Sequence, residues 1–179
     1  IDQTGLMYHP IHRLDRKTSG ILLLAKDKSH INASQQLFQQ KNIQKTYLAV
    51  VRGFSPEIGT IDTPVKNEDT GIYKEAFTEF KTLYNIELDL PVHPYANSRY
   101  SLVELIPKTG RMHQLRKHLN KISHPIVGDY KYGDRFHNRN FEDNYNWVYM
   151  FLHAYSVQFK HPFTDEEMNI KAPFPQDWG

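Results

Sequence analysis

A single carboxylate lies among three cationic side chains near the start of the chain. The segment His12–Gly20 reads HRLDRKTSG and places Asp15 among Arg13, Arg16 and Lys17. Nearby positive charges favour the ionised carboxylate, which is the state that a carboxylate nucleophile requires. The same spacing is also typical of a surface ion-pair cluster that closes a loop, so the segment alone leaves both interpretations open.

A second group of basic residues follows at 108–121. This segment has no acid, and its basic and imidazole side chains are Lys108, Arg111, His113, Arg116, Lys117, His118 and Lys121. The whole chain has 22 Lys and Arg against 20 Asp and Glu, a net charge of only +2. An argument for nucleic-acid binding therefore depends on this cluster and not on the total charge.

The apolar residues within the cluster predict the element that carries it. Met112, Leu115, Leu119 and Ile122 recur at intervals of three, four and three residues, which is the period of one helix face. The opposite face would present polar groups to a cleft or to solvent: His113, Arg116, Lys117 and Asn120. A solvated face of an ordinary amphipathic helix has the same pattern, so the helix by itself does not identify a site.

The remaining patterns predict an α+β domain with a largely antiparallel sheet. Residues 20–26 read as a buried strand, and Asp27 or Ser29 is positioned to cap a helix over about 30–41. Residues 43–53 form the next predicted strand, which Gly53 ends. Shorter strands are predicted at 58–65, 76–86, 99–106, 154–160 and 167–171, with a loop at 89–98. The length fits a single domain over residues 1–179.

Several other chemistries lack the residues that they need. The chain has no cysteine, which excludes disulfides, thiolate zinc sites and cysteine nucleophiles. It contains neither a metalloprotease HExxH nor a P-loop, and Ser19 lacks the GxSxG turn of a hydrolase nucleophile. A glycosidase usually needs two cooperating carboxylates, whereas only Asp15 has an evidently special setting. The residues therefore predict a lone nucleophilic carboxylate with no metal and no cofactor.

Four sequence blocks follow one another in a distinctive order. They are HRLDRKTSG at 12–20, KTYLAVVRG at 45–53, GRMHQLRKHL at 110–119 and HPIVGD at 124–129, followed by FLHA at 151–154. Together they resemble the RluA-type pseudouridine synthases. The resemblance implies a catalytic domain with a mixed, mostly antiparallel sheet flanked by helices. It also implies an isomerase that converts a uridine of RNA into pseudouridine without a metal or an organic cofactor.

The resemblance assigns roles to individual residues. Asp15 matches the catalytic nucleophile, and Arg116 matches the basic residue that pairs with it. The resemblance leaves open whether Asp15 attacks C1′ of the sugar or C6 of the base. Tyr47 matches a tyrosine that stacks on the base and removes a proton late in the reaction. Arg13 matches an arginine implicated in displacing the target base, and Leu152 an apolar residue that packs in the site. The other predicted substrate-binding residues are Arg111, His113, Gln114 and Lys117.

The third block and the residues after it are most similar to the members that modify uridine 65 of tRNA. We therefore expect tRNA as the partner, no membrane association, a cytoplasmic location and a monomer. The same chemistry on ribosomal RNA is one alternative, and a non-catalytic RNA-binding module is another. Family members usually carry a further segment before the Asp15 block, so the sequence is expected to lack its N-terminal part.

Overall fold

The chain folds into a strand-rich α+β domain, and the computed structural model describes residues 5, 7–40 and 42–178. In chain order the elements are β1 (His9–Pro10), β2 (Ser19–Gly20), β3 (Leu24–Ala25), α1 (Ile31–Gln39), β4 (Ile43–Arg52), β5 (Ile58–Asp62), β6 (Val65–Lys66), β7 (Tyr73–Lys74), β8 (Phe77–Leu88), β9 (Ser98–Pro107), α2 (Gln114–Lys121), α3 (Arg135–Tyr145), β10 (Leu152–Lys160) and β11 (Glu167–Lys171). The predicted class is confirmed.

One large sheet organises the fold. Its strand order is β11-β10-β4-β9-β8-β5, each neighbouring pair is antiparallel, and β2 adds to β10 in parallel. Two small antiparallel pairs, β1 with β3 and β6 with β7, lie outside it. The sheet is therefore mixed and mostly antiparallel, as predicted.

The core lies against the central strands because their apolar residues share one face. Ala49, Val103 and Leu105 of β4 and β9 are fully buried, and Leu115 and Leu119 of α2 join the same cluster. Burying a side chain of this size stabilises the fold by roughly 1.5–3 kcal/mol, so the stripe on α2 fixes that helix to the sheet. The predicted stripe is thus confirmed at its two central positions.

The first residue of that stripe is an exception. Met112 precedes the helix and its side chain is exposed, because α2 begins only at Gln114. The helix then ends at Lys121, three residues before His124–Pro125. The backbone N–H of His124 donates to the carbonyl of Leu119, which closes the last turn.

The predicted buried strand over 20–26 is wrong. Residues 19–20 pair with β10, whereas residues 24–25 pair with β1, so the apolar run divides between two sheets. Gly20 has a φ of +100°, and a Cβ there would lie 2.3 Å from the carbonyl oxygen of Ala154. Only glycine allows this close approach, after which the chain turns away from the sheet. Leu22 and Leu24 consequently remain 45% and 44% exposed.

The other predicted elements lie near their observed positions. The Asp27 side chain accepts a hydrogen bond from the Ser29 N–H and caps the 3₁₀ turn at Lys28–His30 that leads into α1. The N-cap of α1 itself is His30, which forms no side-chain cap, so neither predicted residue caps this helix directly. Gly53 follows β4 with a φ of +80°. The predicted strand at 58–65 is divided into β5 and the start of β6.

The sequence patterns do not predict α3. Its residues are mostly polar, and Asn138 is its one buried residue, so it lacks the apolar stripe by which α2 was recognised. Its start is nevertheless well capped, because the Asp134 carboxylate accepts hydrogen bonds from the N–H groups of Phe136 and His137. No helix in the described ranges is both long and apolar enough to cross a bilayer.

Candidate active site

A cleft of about 1110 Å³ lies between the 11–18 loop, α1, the start of β4 and the connection from β9 to α2. Cationic side chains line it: Arg13, Arg16, Lys45, Lys108 and Arg111. Among the lining residues of the described chain, Asp15 is the only carboxylate. This excess of positive charge suits a polyanionic ligand, and it directs such a ligand toward one acidic group.

The backbone of the 11–18 loop positions Asp15. The Asp15 carbonyl accepts a hydrogen bond from the Thr18 N–H at 2.9 Å, which forms a tight turn. Nε2 of His12 accepts another from the Leu23 N–H at 2.8 Å and ties the loop to the segment that follows β2. Both bonds hold the nucleophile candidate where the loop meets the sheet.

The predicted local cage of cations around Asp15 is wrong. Within the described residues, neither Arg13, Arg16 nor Lys17 forms an ion pair with the carboxylate. Arg16 is exposed at the lining of the cleft, and the Lys17 amine lies 4.2 Å from the centroid of the Tyr130 ring. Sequence neighbours do not become spatial partners here because the tight turn separates their side chains.

Arg116 supplies the positive charge instead, as the family resemblance implies. Its Nη1 lies 3.3 Å from Oδ2 of Asp15, and the Asp15 side chain is only 25% exposed. Oδ1 of Asp15 accepts no hydrogen bond from the described residues. The carboxylate is thus held by one oxygen and presents the other to the cleft.

A buried aspartate, Asp129, orients Arg116. Nε and Nη2 of Arg116 each donate to a different Asp129 oxygen at 2.8 Å, a bidentate geometry that fixes the guanidinium plane. The backbone N–H groups of Lys131 and Tyr132 also donate to this carboxylate. Burial raises the pKa of Asp129, but Arg116 and these N–H groups outweigh it and leave that pKa below its ordinary value.

Tyr47 and Leu152 enter the cleft from adjacent strands. Tyr47 lies on β4, opposite Leu105 of β9 and Ala154 of β10, and Leu152 begins β10. Leu152 is buried, whereas the Tyr47 ring is half-buried at the cleft wall. Burial, together with the negative charge of Asp15, raises the pKa of Tyr47 to about 12. The phenol is therefore protonated at neutral pH.

His113 occupies a third side of the Asp15 carboxylate. It precedes α2 with a φ of +56° and a ψ of +25°, a left-handed conformation that is uncommon for residues other than glycine. Its Nε2 lies 4.0 Å from Oδ1 of Asp15, and its Nδ1 lies 3.0 Å from the Tyr132 hydroxyl. Such backbone strain is typical of residues that a functional site holds in place.

The remaining predicted substrate-binding residues divide into two groups. Arg13 and Arg111 are exposed and line the cleft, and the Arg111 Nε also donates to the Glu75 carbonyl at 3.0 Å. Lys117 lies outside the cleft, where its amine pairs with Glu68 at 3.1 Å and donates to the Lys66 carbonyl at 2.8 Å.

Gln114 lines the cleft, but protein groups occupy its amide. Its oxygen accepts from the Thr109 hydroxyl and the Arg111 N–H, and its nitrogen donates to the Phe77 carbonyl and the Thr78 hydroxyl. Both donor hydrogens and both acceptor positions of the amide are therefore used within the protein. The geometry makes Gln114 a support for the loop that leads into α2.

Sequence reasoning missed three residues of this site. Asp129 belongs to the HPIVGD block but received no role, and Tyr132 and Glu68 received none either. The Tyr132 hydroxyl donates to the Glu68 carboxylate, and Lys131 pairs with the same group. In the described ranges no three His, Asp or Glu side chains are grouped as metal ligands would be.

Comparison with known proteins connects this geometry to a family. Residues 2–121 match the family model described as RNA pseudouridylate synthase. Two curated relatives, both called tRNA pseudouridine synthase C, are each 41% identical to the chain. The match to the Haemophilus influenzae protein covers 99% of this chain and 78% of the relative. The match to the Pasteurella multocida protein covers 99% and 77%.

Solved structures give the same result. Human RNA Pseudouridylate Synthase Domain Containing 1 superposes with a TM-score of 0.75 at 30% identity, covering 94% of this chain and 70% of that one. Human RNA Pseudouridylate Synthase Domain Containing 4 superposes with a TM-score of 0.74 at 26% identity, covering 94% and 72%. The chain therefore belongs to the RNA pseudouridylate synthase family, as the RluA-type resemblance predicts.

Proposed function

We propose that this isomerase converts uridine 65 of tRNA into pseudouridine, with Asp15 as the nucleophile. The observation that carries the proposal is the position of Asp15 in a cationic cleft, with Oδ2 held by Arg116 and Oδ1 without a hydrogen bond from the described residues. The names of the relatives support tRNA as the substrate. The position within tRNA depends on the resemblance alone.

The reaction exchanges two bonds at one carbon. Oδ1 of Asp15 bonds to C1′ of the ribose while the bond from C1′ to N1 of uracil breaks, and its electron pair goes to the base. The freed base then turns, and C5 bonds to C1′ as the Asp15 oxygen leaves. C5 loses its proton and N1 gains one, so the product is an isomer of the substrate. Asp15 is favoured as the nucleophile because both bonds involve C1′, which needs a partner while the base is detached.

The cationic side chains that line the cleft are proposed to bind the RNA around the target uridine. A uridine within an RNA stem has to be extruded before Asp15 reaches it, which costs a few kcal/mol. Arg13 and Arg111 are exposed at the cleft and can bind phosphates or fill the vacated stack. Tyr47 presents a ring face and Leu152 an apolar surface to the extruded base. We assign Gln114 and Lys117 to substrate binding indirectly, through the segments that they hold.

Tyr47 is proposed to exchange protons with the base: its phenol gives its proton to N1 of the detached uracil, and the resulting phenolate takes the proton from C5. In the free enzyme Asp15 disfavours the phenolate, which contributes to the raised pKa of about 12. Once the Asp15 oxygen bonds to the sugar, the carboxylate loses its negative charge and that part of the effect disappears. The environment of Tyr47 thus becomes more favourable to the phenolate while the base is detached, when the phenol gives its proton to N1.

Tyr47→Phe is expected to lower pseudouridine formation roughly 100-fold or more, the lower end for a lost acid–base group. Phenylalanine keeps the ring face, so the affinity for tRNA should change little. Single-turnover rates and filter binding on one transcript measure the two quantities. If the variant kept the wild-type rate, Tyr47 would take no part in proton transfer and would only stack on the base.

The whole proposal is tested with an unmodified tRNA transcript. After incubation with the protein, pseudouridine is mapped at single-nucleotide resolution, and a transcript with cytidine at position 65 is the control. Product at position 65 only in the first transcript is the expected result. Product at another tRNA position or in ribosomal RNA would replace the assigned substrate, and tight binding without product would favour a binding module.

A further inference from the structure

We propose that Nε2 of His113 accepts a hydrogen bond from the 2′-hydroxyl of the target nucleotide and thereby selects ribose over deoxyribose. The inference rests on the proposed function, because it takes Asp15 as the nucleophile at C1′. The sequence predicted only that His113 binds substrate, and this inference names the substrate group that it contacts.

The protonation of His113 follows from a chain of contacts that begins at Glu68. Hydrogen bonds from Lys131, Tyr132 and Lys117 lower the pKa of Glu68 to about 2, so this carboxylate is ionised and can only accept. The Tyr132 hydroxyl therefore directs its proton to Glu68. Its oxygen is then left to accept a hydrogen bond from Nδ1 of His113, 3.0 Å away.

This contact leaves Nε2 without a proton. Burial lowers the pKa of His113 below its ordinary value, although Asp15 acts in the opposite direction, so the neutral ring predominates at neutral pH. A neutral imidazole carries one proton, and the Tyr132 oxygen requires it on Nδ1. Nε2 is therefore a hydrogen-bond acceptor that faces the cleft.

Two acceptors consequently face each other across the site. Nε2 of His113 and Oδ1 of Asp15 are 4.0 Å apart, which is longer than a hydrogen bond. Because His113 does not hydrogen-bond to Oδ1, it does not compete with the sugar for that oxygen. A substrate that binds beside Oδ1 satisfies Nε2 only if it brings a donor to this position.

A uridine within an RNA chain offers two donors, the N3–H of its base and its 2′-hydroxyl, since its 3′ and 5′ oxygens are esterified. The 2′-hydroxyl is attached to the carbon next to C1′, where Oδ1 bonds. The N3–H is separated from C1′ by N1 and C2 of the uracil ring. The donor nearest to a nucleophile at C1′ is therefore the 2′-hydroxyl, which is also the group that distinguishes RNA from DNA.

The same contact has a second consequence. The 2′-hydroxyl remains on the sugar while the base is detached and turns, so its bond to His113 persists through that stage. The ribose is then held by Asp15 at C1′ and by His113 at the adjacent position. This would keep C1′ aligned for the attack by C5.

The test combines two sugars with several protein variants. A T-arm hairpin RNA is prepared with either uridine or 2′-deoxyuridine at the target position, and single-turnover rates are measured on both. The wild type is expected to react about tenfold more slowly on the deoxy substrate through loss of this hydrogen bond. The deoxy penalty is the rate on uridine divided by the rate on 2′-deoxyuridine. The decisive comparison is between the penalty of a variant and that of the wild type, because the intrinsic effect of the sugar on the reaction is the same in both.

Two substitutions at His113 distinguish the loss of an acceptor at the Nε2 position from a disturbance of the left-handed backbone. Asparagine tolerates the left-handed backbone but is too short to place an acceptor at the Nε2 position, whereas glutamine can extend its amide oxygen that far. His113→Asn should therefore lose about tenfold on the ribose substrate and show nearly the same rate on both sugars. His113→Gln should retain part of the preference for ribose.

Tyr132→Phe tests the proton assignment while leaving His113 in place. Without the Tyr132 oxygen, Nδ1 has no acceptor and the ring is free to carry its proton on Nε2, so the ribose preference should fall. His93→Gln is the matched control, because His93 is exposed in the loop that joins β8 to β9 at the end opposite the cleft. This control should keep the wild-type penalty.

An equal deoxy penalty in the wild type and in His113→Asn would overturn the inference. This outcome arises if His113→Asn slows the reaction on the ribose and on the deoxyribose substrate by the same factor. His113 would then act on the reaction without contacting the 2′-hydroxyl. Failure of the proposed function looks different, because the wild type would then form no pseudouridine in the all-ribose hairpin or in full-length tRNA.

Discussion

Replacing Asp15 by asparagine is expected to lower pseudouridine formation roughly 10⁴-fold or more, as loss of a nucleophile does in other enzymes. Asparagine has nearly the same shape, so its oxygen can remain beside Arg116, but an amide lacks the charge and the nucleophilicity of a carboxylate. Arg116 keeps its bidentate partner Asp129 in this variant, so the thermal stability of the protein should change little. Binding to tRNA should persist, because the cationic lining of the cleft is intact.

Asp15→Glu separates the charge of the carboxylate from its position. Glutamate keeps the negative charge but moves the oxygens by one methylene, and a displacement of about 1 Å costs on the order of 100-fold in rate. Its activity should therefore lie between that of the wild type and that of Asp15→Asn. Single-turnover assays on one tRNA transcript, with parallel binding measurements, compare all three proteins.

Asp165→Asn is the matched control for these substitutions. Asp165 is 84% exposed in the connection between β10 and β11, where it pairs with Lys160, and asparagine tolerates its φ of +61°. Its turnover should equal that of the wild type. If Asp15→Asn also kept full turnover, the carboxylate would not be the nucleophile, and the reaction would need another group in the cleft.

Local sequence patterns predict the sheet well because its strands are bounded by local signals. Residues 43–53 combine an apolar run at 47–51 with a terminal glycine, and β4 is observed at Ile43–Arg52. The run at 20–26 has equally apolar composition, yet it divides between two partners because Gly20 approaches the Ala154 carbonyl closely. Which neighbour pairs with a short apolar segment is a tertiary property, and composition does not encode it.

In the active site, too, contacts between residues distant in sequence are not predicted by local sequence patterns. Asp15 and Arg116 are 101 positions apart, and only the order of the family blocks indicates that they meet. The cations next to Asp15 in sequence suggested a local cage, but the turn at 15–18 separates them from the carboxylate. Glu68 reaches Tyr132 across 64 positions from a short hairpin that has no distinguishing pattern. These contacts depend on how the elements pack, which residue spacing alone does not reveal.

Asp129→Asn is expected to reduce both stability and activity, although Asp129 does not line the cleft. The asparagine nitrogen would face one of the Arg116 donors, so the guanidinium would lose a charged acceptor in a nearly dry environment. Removing one partner of a buried ion pair costs about 3–5 kcal/mol of unfolding free energy. Arg116 would also be free to rotate, so Asp15 would lose the group that holds Oδ2.

The activity loss should therefore appear in turnover rather than in tRNA affinity. Chemical denaturation gives the unfolding free energy, and single-turnover kinetics at saturating tRNA gives the rate. Glu87→Gln is the matched control, because it removes the same charge from the exposed pair with Arg99 and should change the unfolding free energy little. A variant at Asp129 that is as stable and as active as this control would show that Arg116 needs no second carboxylate.

The pH dependence gives an independent check on Asp129. Its pKa in the folded protein lies below the ordinary value, because the hydrogen bonds and charge of Arg116 outweigh the effect of burial. The stability that the ionised group contributes is thus fully present above the pKa of the unfolded chain and is lost as the pH falls through the folded pKa. The difference in unfolding free energy between the wild type and Asp129→Asn should shrink in acid, whereas a constant difference would mean that Asp129 acts through shape rather than through charge.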